Sequence, residues 1–185
     1  DLYLPQKGKK KAPVIIWIHG GGFIAGGKGG VKNWGMMLAR EGYAVVAPDY
    51  EYAPEAVYPN QPRQMQELIG ELERQEKEGM PIDMHCVCLA GDSAGAHMAA
   101  QCALAVANPR FAQEAKIKPE LPLENLKAVL LYCGPYNVES VLDTDNMAGR
   151  FVMGKIGWGL FGTHNWRKSS LLKTTVIKDY ITPDF

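Results

Sequence analysis

A short turn between an apolar run and an alanine-rich segment is the feature of this sequence that most constrains its fold. The run VCLA at residues 87–90 is typical of a buried strand, and residues 94–107 are typical of a helix. Between them lies GDSAG, at residues 91–95. So tight a turn needs small flanking residues, because bulk there would collide with the sheet or the helix. The two glycines therefore predict that Ser93 occupies a strand-to-helix turn.

A glycine-rich loop follows an earlier apolar strand. Residues 14–18 (VIIWI) predict that strand, and HGGG at residues 19–22 comes directly after it. Backbone N–H groups of such a loop can donate hydrogen bonds to an oxyanion. The N–H group that opens a helix can do the same, since the helix macrodipole favours negative charge there. The candidate donors are Gly21, Gly22 and Ala94.

Strands and helices alternate along the first 135 residues. The predicted strands cover residues 1–5, 14–19, 43–47, 87–90 and 128–132. The predicted helices cover residues 31–40, 63–78 and 94–107. Strands that are apolar on both faces and separated by helices predict an α/β fold with a mostly parallel sheet, covered by helices on both faces. Ligands of such sheets bind at the carboxyl ends of the strands, where both glycine motifs lie.

The alternation stops after residue 135. Residues 136–185 predict helical or irregular segments, including the stretch rich in glycine, methionine and aromatic residues at 147–161, and no further strand. A length of 185 residues suits one domain and is too short for two ordinary ones. We therefore interpret residues 1–185 as a single domain in which residues 136–185 form a cap-like segment.

Charge, hydropathy and cysteine spacing exclude several kinds of partner. Twenty basic and twenty acidic residues cancel, so global charge gives no reason to expect a nucleic-acid or an anionic-membrane partner. No apolar run approaches the roughly 20 residues of a membrane span. The four cysteines suit neither a disulfide framework nor a metal site, and we predict no metal. The chain opens at Asp1 without an initiator methionine or a signal-like segment, so we expect the native start upstream, where an export signal would lie. The location we predict is cytoplasmic.

Three motifs, in this order, resemble the hormone-sensitive-lipase-like branch of the α/β-hydrolases. They are HGGG at 19–22, DYEYAPE at 49–55 and GDSAG at 91–95. The middle motif is similar to D-Y-R-L-A-P-E, with Glu51 where arginine is usual. The resemblance covers residues 1–135. It implies a small-molecule carboxylic ester substrate with a short acyl or acetyl group, an acyl-enzyme formed on Ser93, and no cofactor.

The resemblance also implies a catalytic acid and a histidine that follow the serine, after the seventh and eighth strands. This sequence ends about where the seventh strand is expected, so we expect the chain to hold the nucleophile half of an esterase. Asp143, Asp145 and His164 occur in the right order and are candidate substitutes, although no strand is predicted between them. The alternative is a catalytically incomplete fragment, or a non-catalytic binding scaffold of the same fold.

Three polar residues near the motifs are predicted to have structural roles. His19 precedes the glycines whose backbone it would support, and His97 lies one helical turn after Ser93 and is expected to pack. Asp92 is expected to stabilise the turn through nearby hydrogen bonds, because it cannot reach a histidine that itself reaches Ser93.

The strand at residues 128–132 is predicted to have a free, apolar edge. Unpaired strand edges favour pairing with another chain. We therefore expect a homo-oligomer that forms at this edge.

Overall fold

The computed structural model describes residues 1–6, 11–142 and 146–183. Within these ranges the strands are β1 (Leu2–Tyr3), β2 (Ala12–Ile18), β3 (Ala44–Val46), β4 (Ile82–Asp92) and β5 (Leu126–Tyr132). The α-helices in the same ranges are α1 (Lys32–Arg40), α2 (Asn60–Lys77), α3 (Ala94–Ala107), α4 (Pro109–Ala115), α5 (Val138–Leu142) and α6 (Met147–Phe161). None of these helices is both long enough and apolar enough to cross a membrane.

The strands form one mostly parallel sheet in the order β1-β3-β2-β4-β5. β1 pairs antiparallel with β3, whereas β2 lies parallel to both β3 and β4. β5 lies parallel to β4 and forms the far edge. The predicted α/β architecture is confirmed, and the carboxyl ends of β2, β4 and β5 meet at one side of the sheet.

Alternate side chains of β2 point to opposite faces of the sheet. Ile16 and Ile18 enter the core that α2 and α3 cover, where they join Met98. Ile15 and Trp17 enter a second cluster under α1. Helices therefore cover both faces, as the apolar strands predict.

Most predicted elements are present with shifted ends. α3 spans the predicted residues, whereas α2 begins three residues earlier than predicted, with a proline in its first turn, where proline is tolerated. The sequence analysis missed α4. Its signal is local, since Asn108 caps the helix by accepting a hydrogen bond from the N–H of Phe111 (3.1 Å) and Pro109 follows.

The described residues after position 135 are helical, as predicted. α5 and α6 are followed by short 3₁₀ turns, and Asn137 forms an isolated antiparallel bridge with Val176. Trp166 packs so closely on α6 that a Cβ atom at Gly157 would lie 2.5 Å from its ring. Tyr180 packs on Phe111 of α4. These contacts attach the segment to the α2 and α3 side of the sheet.

The outer edge of β5 is free within the described part of the chain. There β5 pairs with β4 alone. Leu130, Leu131 and Tyr132 are 39%, 36% and 50% exposed. β5, the strand that is predicted to pair with another chain, is thus accessible along its outer edge, and several of its side chains are exposed.

Candidate active site

Ser93 lies in the turn between β4 and α3, as predicted. Its φ of 50° is positive, a conformation that residues other than glycine rarely adopt. Two backbone hydrogen bonds stabilise it. The N–H of Ser93 donates to the carbonyl of Tyr132 (2.8 Å), and its carbonyl accepts from the N–H of His97 (3.1 Å). The residue itself is exposed at the carboxyl end of the sheet.

The two glycines that flank Ser93 have no room for a side chain. A Cβ atom at Gly91 would lie 2.5 Å from the carbonyl carbon of Gly95. One at Gly95 would lie 2.0 Å from the carbonyl oxygen of Ile18 in β2. The predicted collisions with the helix and with the sheet are both present, so the geometry of the turn requires glycine at these positions.

The glycine-rich loop after β2 turns sharply beside Ser93. Gly21 and Gly22 have φ values of 130° and 62°, which favour glycine. The carbonyl of Gly21 accepts from the N–H groups of Ile24 (3.1 Å) and Ala25 (3.0 Å). Among the described residues, the N–H groups of Gly21, Gly22 and Ala94 have no acceptor. The three candidate oxyanion donors are therefore available to a ligand.

His19 supports the glycine-rich loop, as the sequence predicts. Its buried ring places Nδ1 3.1 Å from the amide nitrogen of Gly27 and 2.7 Å from the carbonyl oxygen of Gly20. The ring thus connects the two ends of the loop. On the other side, Nε2 lies 3.9 Å from Asp49, which forms an ion pair with Lys28 (2.9 Å).

The DYEYAPE segment supports the same loop from outside. The hydroxyl of Tyr50 donates to the carbonyl of His19 (3.1 Å), and that of Tyr52 donates to the carbonyl of Gly26 (3.0 Å). Glu51, which replaces the usual arginine, forms a reciprocal pair with Gln64. Its N–H donates to the Gln64 side-chain oxygen (3.0 Å), and its carboxylate accepts from the Gln64 amide (2.8 Å).

Asp92 connects the turn to the glycine-rich loop. One carboxylate oxygen accepts from the N–H of Gly20 (3.2 Å), and the other accepts from the indole N–H of Trp17 (3.3 Å). The predicted stabilising role of this carboxylate is confirmed. The hydrogen bond from Gly20 joins residues 72 positions apart in the sequence. It therefore fixes the position of the loop relative to Ser93.

An apolar cavity of about 380 Å³ opens beside Ser93. It brings together the loop after β2, the Ser93 turn, the loop after β5 and the two helices α5 and α6. Its lining consists of Gly22, Phe23, Ser93, Ala94, Cys133, Gly134, Pro135, Val138, Val141, Leu142, Met153, Ile156 and Leu160. The sequence analysis missed the helical part of this lining. The spacing of Met153, Ile156 and Leu160 indicates a common helix face, but gives no sign of what that face contacts.

No histidine ring of the described residues forms a hydrogen bond with the hydroxyl of Ser93. His97 is buried in α3, where Nδ1 lies 2.8 Å from the carbonyl oxygen of Pro135, and burial lowers its pKa to about 4. It is the packed residue that the sequence predicts. His85 lies near Asn125, with 3.4 Å between the ring Nδ1 and the side-chain oxygen.

The structure does not bring the candidate substitute base to Ser93. His164 is exposed, and its ring stacks on Trp158 with 5.0 Å between ring centroids. It follows the C-cap of α6 and is not among the residues that line the cavity. Asp143 and Asp145 lie outside the described residues.

Comparisons with known proteins agree with this architecture. The BD-FAE family model matches residues 1–184. A probable isoprenylcysteine alpha-carbonyl methylesterase of Oryza sativa subsp. japonica is 31% identical over 153 residues, which cover 77% of this chain and 34% of the relative. An acetyl esterase of Salmonella schwarzengrund is 29% identical over 141 residues, which cover 75% of this chain and 39% of that enzyme. The chain spans about a third of the length of these curated relatives.

A solved structure shows the same fold. Esterase B from Lactobacillus rhamnosis (HN001) matches with a TM-score of 0.82 at 22% identity, covering 100% of this chain and 56% of that one. At this identity the likeness concerns the fold alone.

Proposed function

The chain belongs to the BD-FAE family, among the carboxylesterases of the α/β-hydrolase fold, and from this membership we propose that it takes part in the hydrolysis of carboxylic esters. The observation that carries the proposal is the position of Ser93. It stands exposed on a strained turn, beside three N–H groups without acceptors among the described residues and at the side of an apolar cavity.

In the proposed reaction, the hydroxyl oxygen of Ser93 attacks the ester carbonyl. The negative charge that develops on the carbonyl oxygen is stabilised by the N–H groups of Gly21, Gly22 and Ala94. Loss of the alcohol leaves an acyl-enzyme, and water then releases the acid. Each N–H donor of this kind contributes about 3 to 4 kcal/mol of transition-state stabilisation. The rigid support of the glycine-rich loop keeps two of these donors in place.

The acyl group of the substrate is proposed to lie in the cavity beside Ser93. The apolar lining of this cavity suits an acyl chain and gives little hydrogen bonding to a polar group. The relative named as an acetyl esterase supports a small acyl group, whereas the one named as a methylesterase supports only a small alcohol group. Thus we propose a short-chain acyl or acetyl ester as the substrate.

The acid and the base of this reaction are proposed to come from outside the described residues. The sequence contains four histidines, and in the described structure none of their rings forms a hydrogen bond with the hydroxyl of Ser93. The same observation favours a second candidate function, a non-catalytic scaffold that binds esters in the cavity. Without its base, a serine hydrolase loses several orders of magnitude in rate.

Turnover of p-nitrophenyl acetate and p-nitrophenyl butyrate distinguishes the two candidates. Because the oxyanion donors alone leave some catalysis, we expect the chain to release p-nitrophenol slowly but faster than its Ser93→Ala variant. Ser140→Ala, at an exposed serine of α5, should behave like wild type. We also expect a phosphonate ester to label the wild-type chain and not Ser93→Ala, as mass spectrometry would show. Equal turnover together with no label would refute the esterase proposal in favour of the scaffold.

A loss of turnover in His164→Ala would instead identify an internal base. That result would mean that residues 143–164 adopt a different arrangement in the active protein. The variant is informative because His164 is exposed, so its removal is not expected to unfold the chain.

We further propose that two copies of the chain associate through the free edge of β5. The exposure of Leu130, Leu131 and Tyr132 supports this proposal. We expect sedimentation velocity to show a dimer or larger assembly that Leu131→Lys shifts to monomer. Leu123→Lys, at an exposed position before the strand, should have no effect. A wild-type chain that stays monomeric at high concentration would contradict the proposal.

A further inference from the structure

The cavity beside Ser93 has an open side and a closed side. Ser93, Cys133 and Val141 are exposed at the open side. The closed side consists of core side chains that are 6% exposed or less, namely Phe23, Val138, Leu142 and Leu160. In the proposed reaction the acyl group is attached to Ser93. Its chain would therefore enter at the open side and extend toward the buried side chains.

Burial increases along the side of α6 that lines the cavity. Met153 and Ile156 are half-buried, whereas Leu160 is 1% exposed. Leu160 follows Met153 by two turns of helix, which corresponds to about 10 Å along the helix axis. The helix thus follows the cavity from its partly open region to its buried end. Leu160 is the last side chain of α6 that an acyl chain would meet.

The end of α6 that carries Leu160 is firmly packed. The carbonyl of Leu160 accepts a hydrogen bond from the N–H of Tyr58 (2.7 Å). The next residue, Phe161, packs on the rings of Tyr58 and Trp166, with 5.7 Å and 6.3 Å between ring centroids. Trp166 in turn lies directly on Gly157, one turn before Leu160. A side chain fixed in this way discriminates by size, because the surrounding core cannot yield to extra volume without a cost.

Two other side chains of the lining are less suited to limit an acyl chain. Met153 is unbranched and half-buried, so it adapts to different shapes, and its neighbour Gly154 has open space around it. Phe23 packs edge-to-face on His97, with 5.9 Å between ring centroids. The N–H of His97 donates to the carbonyl of Ser93 (3.1 Å). Phe23 would therefore contact the start of an acyl chain and not its end.

We propose that Leu160 limits the length of the acyl group that the cavity accepts. This inference rests on the proposed function, because it concerns the ester that Ser93 attacks. A methylene group that exceeds a fixed apolar space lowers the rate by about tenfold or more. Leu160→Ala leaves room for about three more carbon atoms, so the variant should accept acyl chains that are longer by about that number.

Labelling of Ser93 by alkylphosphonate esters of increasing chain length measures the limit. In the wild-type chain, the labelling rate should fall about tenfold for each methylene group beyond the limit. In Leu160→Ala the fall should begin about three carbon atoms later. Phosphonates just beyond the wild-type limit should therefore label the variant at least about tenfold faster than wild type. Mass spectrometry identifies the labelled serine and gives the rates.

Binding of linear carboxylates measures the same limit without any reaction. A carboxylate is the product acid of the proposed reaction, and its oxygens would accept from the candidate oxyanion donors while its chain fills the cavity. Cys133 is exposed and lines the cavity, so a bound chain should slow its alkylation by iodoacetamide. The half-buried Cys86, which is not part of the lining, is the reference. The chain length that protects Cys133 best should increase by about three carbon atoms in Leu160→Ala.

Matched controls separate the length limit from stability. Leu72→Ala makes the same change at a buried position of α2 that belongs to the same core and does not line the cavity. Leu160→Ile keeps the volume of the side chain. Both variants should keep the wild-type limit. If Leu160→Ala does not fold, Leu160→Val should move the limit by about one carbon atom.

Four results would overturn the proposal. They are an unchanged limit in the smaller Leu160 variants, an equal shift in Leu72→Ala, a larger shift in Val138→Ala, and no protection of Cys133 by any carboxylate. A different result would refute the proposed function alone. In that case Ser93 stays unlabelled by every phosphonate, while the protection of Cys133 still depends on Leu160.

Discussion

The two walls of the cavity are built in different ways. The loop wall, residues 19–27 and 91–95, is fixed by directional hydrogen bonds that converge from His19, Tyr50, Tyr52 and Asp92. The helix wall, α5 and α6, meets the cavity with apolar side chains and exposes others on its outer side. The loop wall carries the N–H groups that would stabilise the negative charge of the transition state. Small displacements of such groups lower the reaction rate. The helix wall meets the cavity with apolar side chains, whose contacts are less directional and tolerate small displacements.

Glycines in the two walls show the same difference. Gly95 in the loop wall would place a Cβ atom 2.0 Å from a backbone oxygen of β2, whereas Gly154 in α6 has open space around it. Both are helical residues. Gly95 is thus required because α3 approaches β2 closely at this point, whereas no such approach requires glycine at position 154.

The largest expected effect comes from this pair of glycines. Gly95→Ala should destabilise the chain by more than about 4 kcal/mol, because either α3 or β2 must move. Gly154→Ala should instead stabilise it by up to about 1 kcal/mol through helix propensity. Urea unfolding of both variants measures the difference. Similar unfolding free energies in the two variants would show that the two walls tolerate an added methyl group equally well.

The next effect concerns the pH dependence of stability. Burial lowers the pKa of His97 to about 4 from an ordinary value of 6.5. As the pH falls from 6.5 toward 4, the unfolded chain therefore takes up a proton at this residue before the folded chain does. The stability that the neutral imidazole contributes is therefore present above pH 6.5 and lost as pH falls toward 4. The loss should reach about 3 kcal/mol. His97→Gln, compared with wild type by urea unfolding across this window, should show a flatter profile, and parallel profiles would contradict the prediction.

A smaller effect is expected at the connection between the two parts of the loop wall. Asp92→Asn should cost about 1 to 2 kcal/mol, because a neutral amide oxygen can replace only one of the two hydrogen bonds that the carboxylate accepts. Asp83→Asn is a control near the amino end of the same strand, where the carboxylate accepts from the N–H of His85 (3.0 Å). It should cost about 0.5 kcal/mol or less. Equal losses would indicate that Asp92 does not connect the loop to the turn.

The smallest effect is expected on the outside of the helix wall. Phe151→Ser should change the unfolding free energy by less than about 0.5 kcal/mol, since the ring is exposed. Leu160→Ala, on the buried side of the same helix, should cost about 2 to 5 kcal/mol. A large loss in Phe151→Ser would mean that the outer side of α6 packs against another part of the protein.

Much of the loop wall was predictable because its signals are local. Two glycines around a serine predict a tight turn, and a strand followed by HGGG predicts a loop with free N–H groups. The support from Asp92 and His19 followed from their places beside these motifs. The helix wall was not predictable, since the spacing of Met153, Ile156 and Leu160 describes one face of a helix and not the partner of that face. The free edge of β5 was expected only from the resemblance, because in that fold this strand pairs with a later one.

The sequence by itself indicated the parallel sheet and the tight turn at Ser93, because the signals of strands, helices and turns are local. It also predicted glycine on either side of the serine, although the contact that requires Gly95 is with Ile18 of β2, far away in the chain. Tertiary structure alone decided which residues line the cavity and which atoms support the loop. Those contacts join segments far apart in the chain, such as Asp92 and Gly20, or Pro135 and His97. It also placed His164 on Trp158 instead of beside Ser93, since ring stacking at the end of α6 depends on the packed position of that helix.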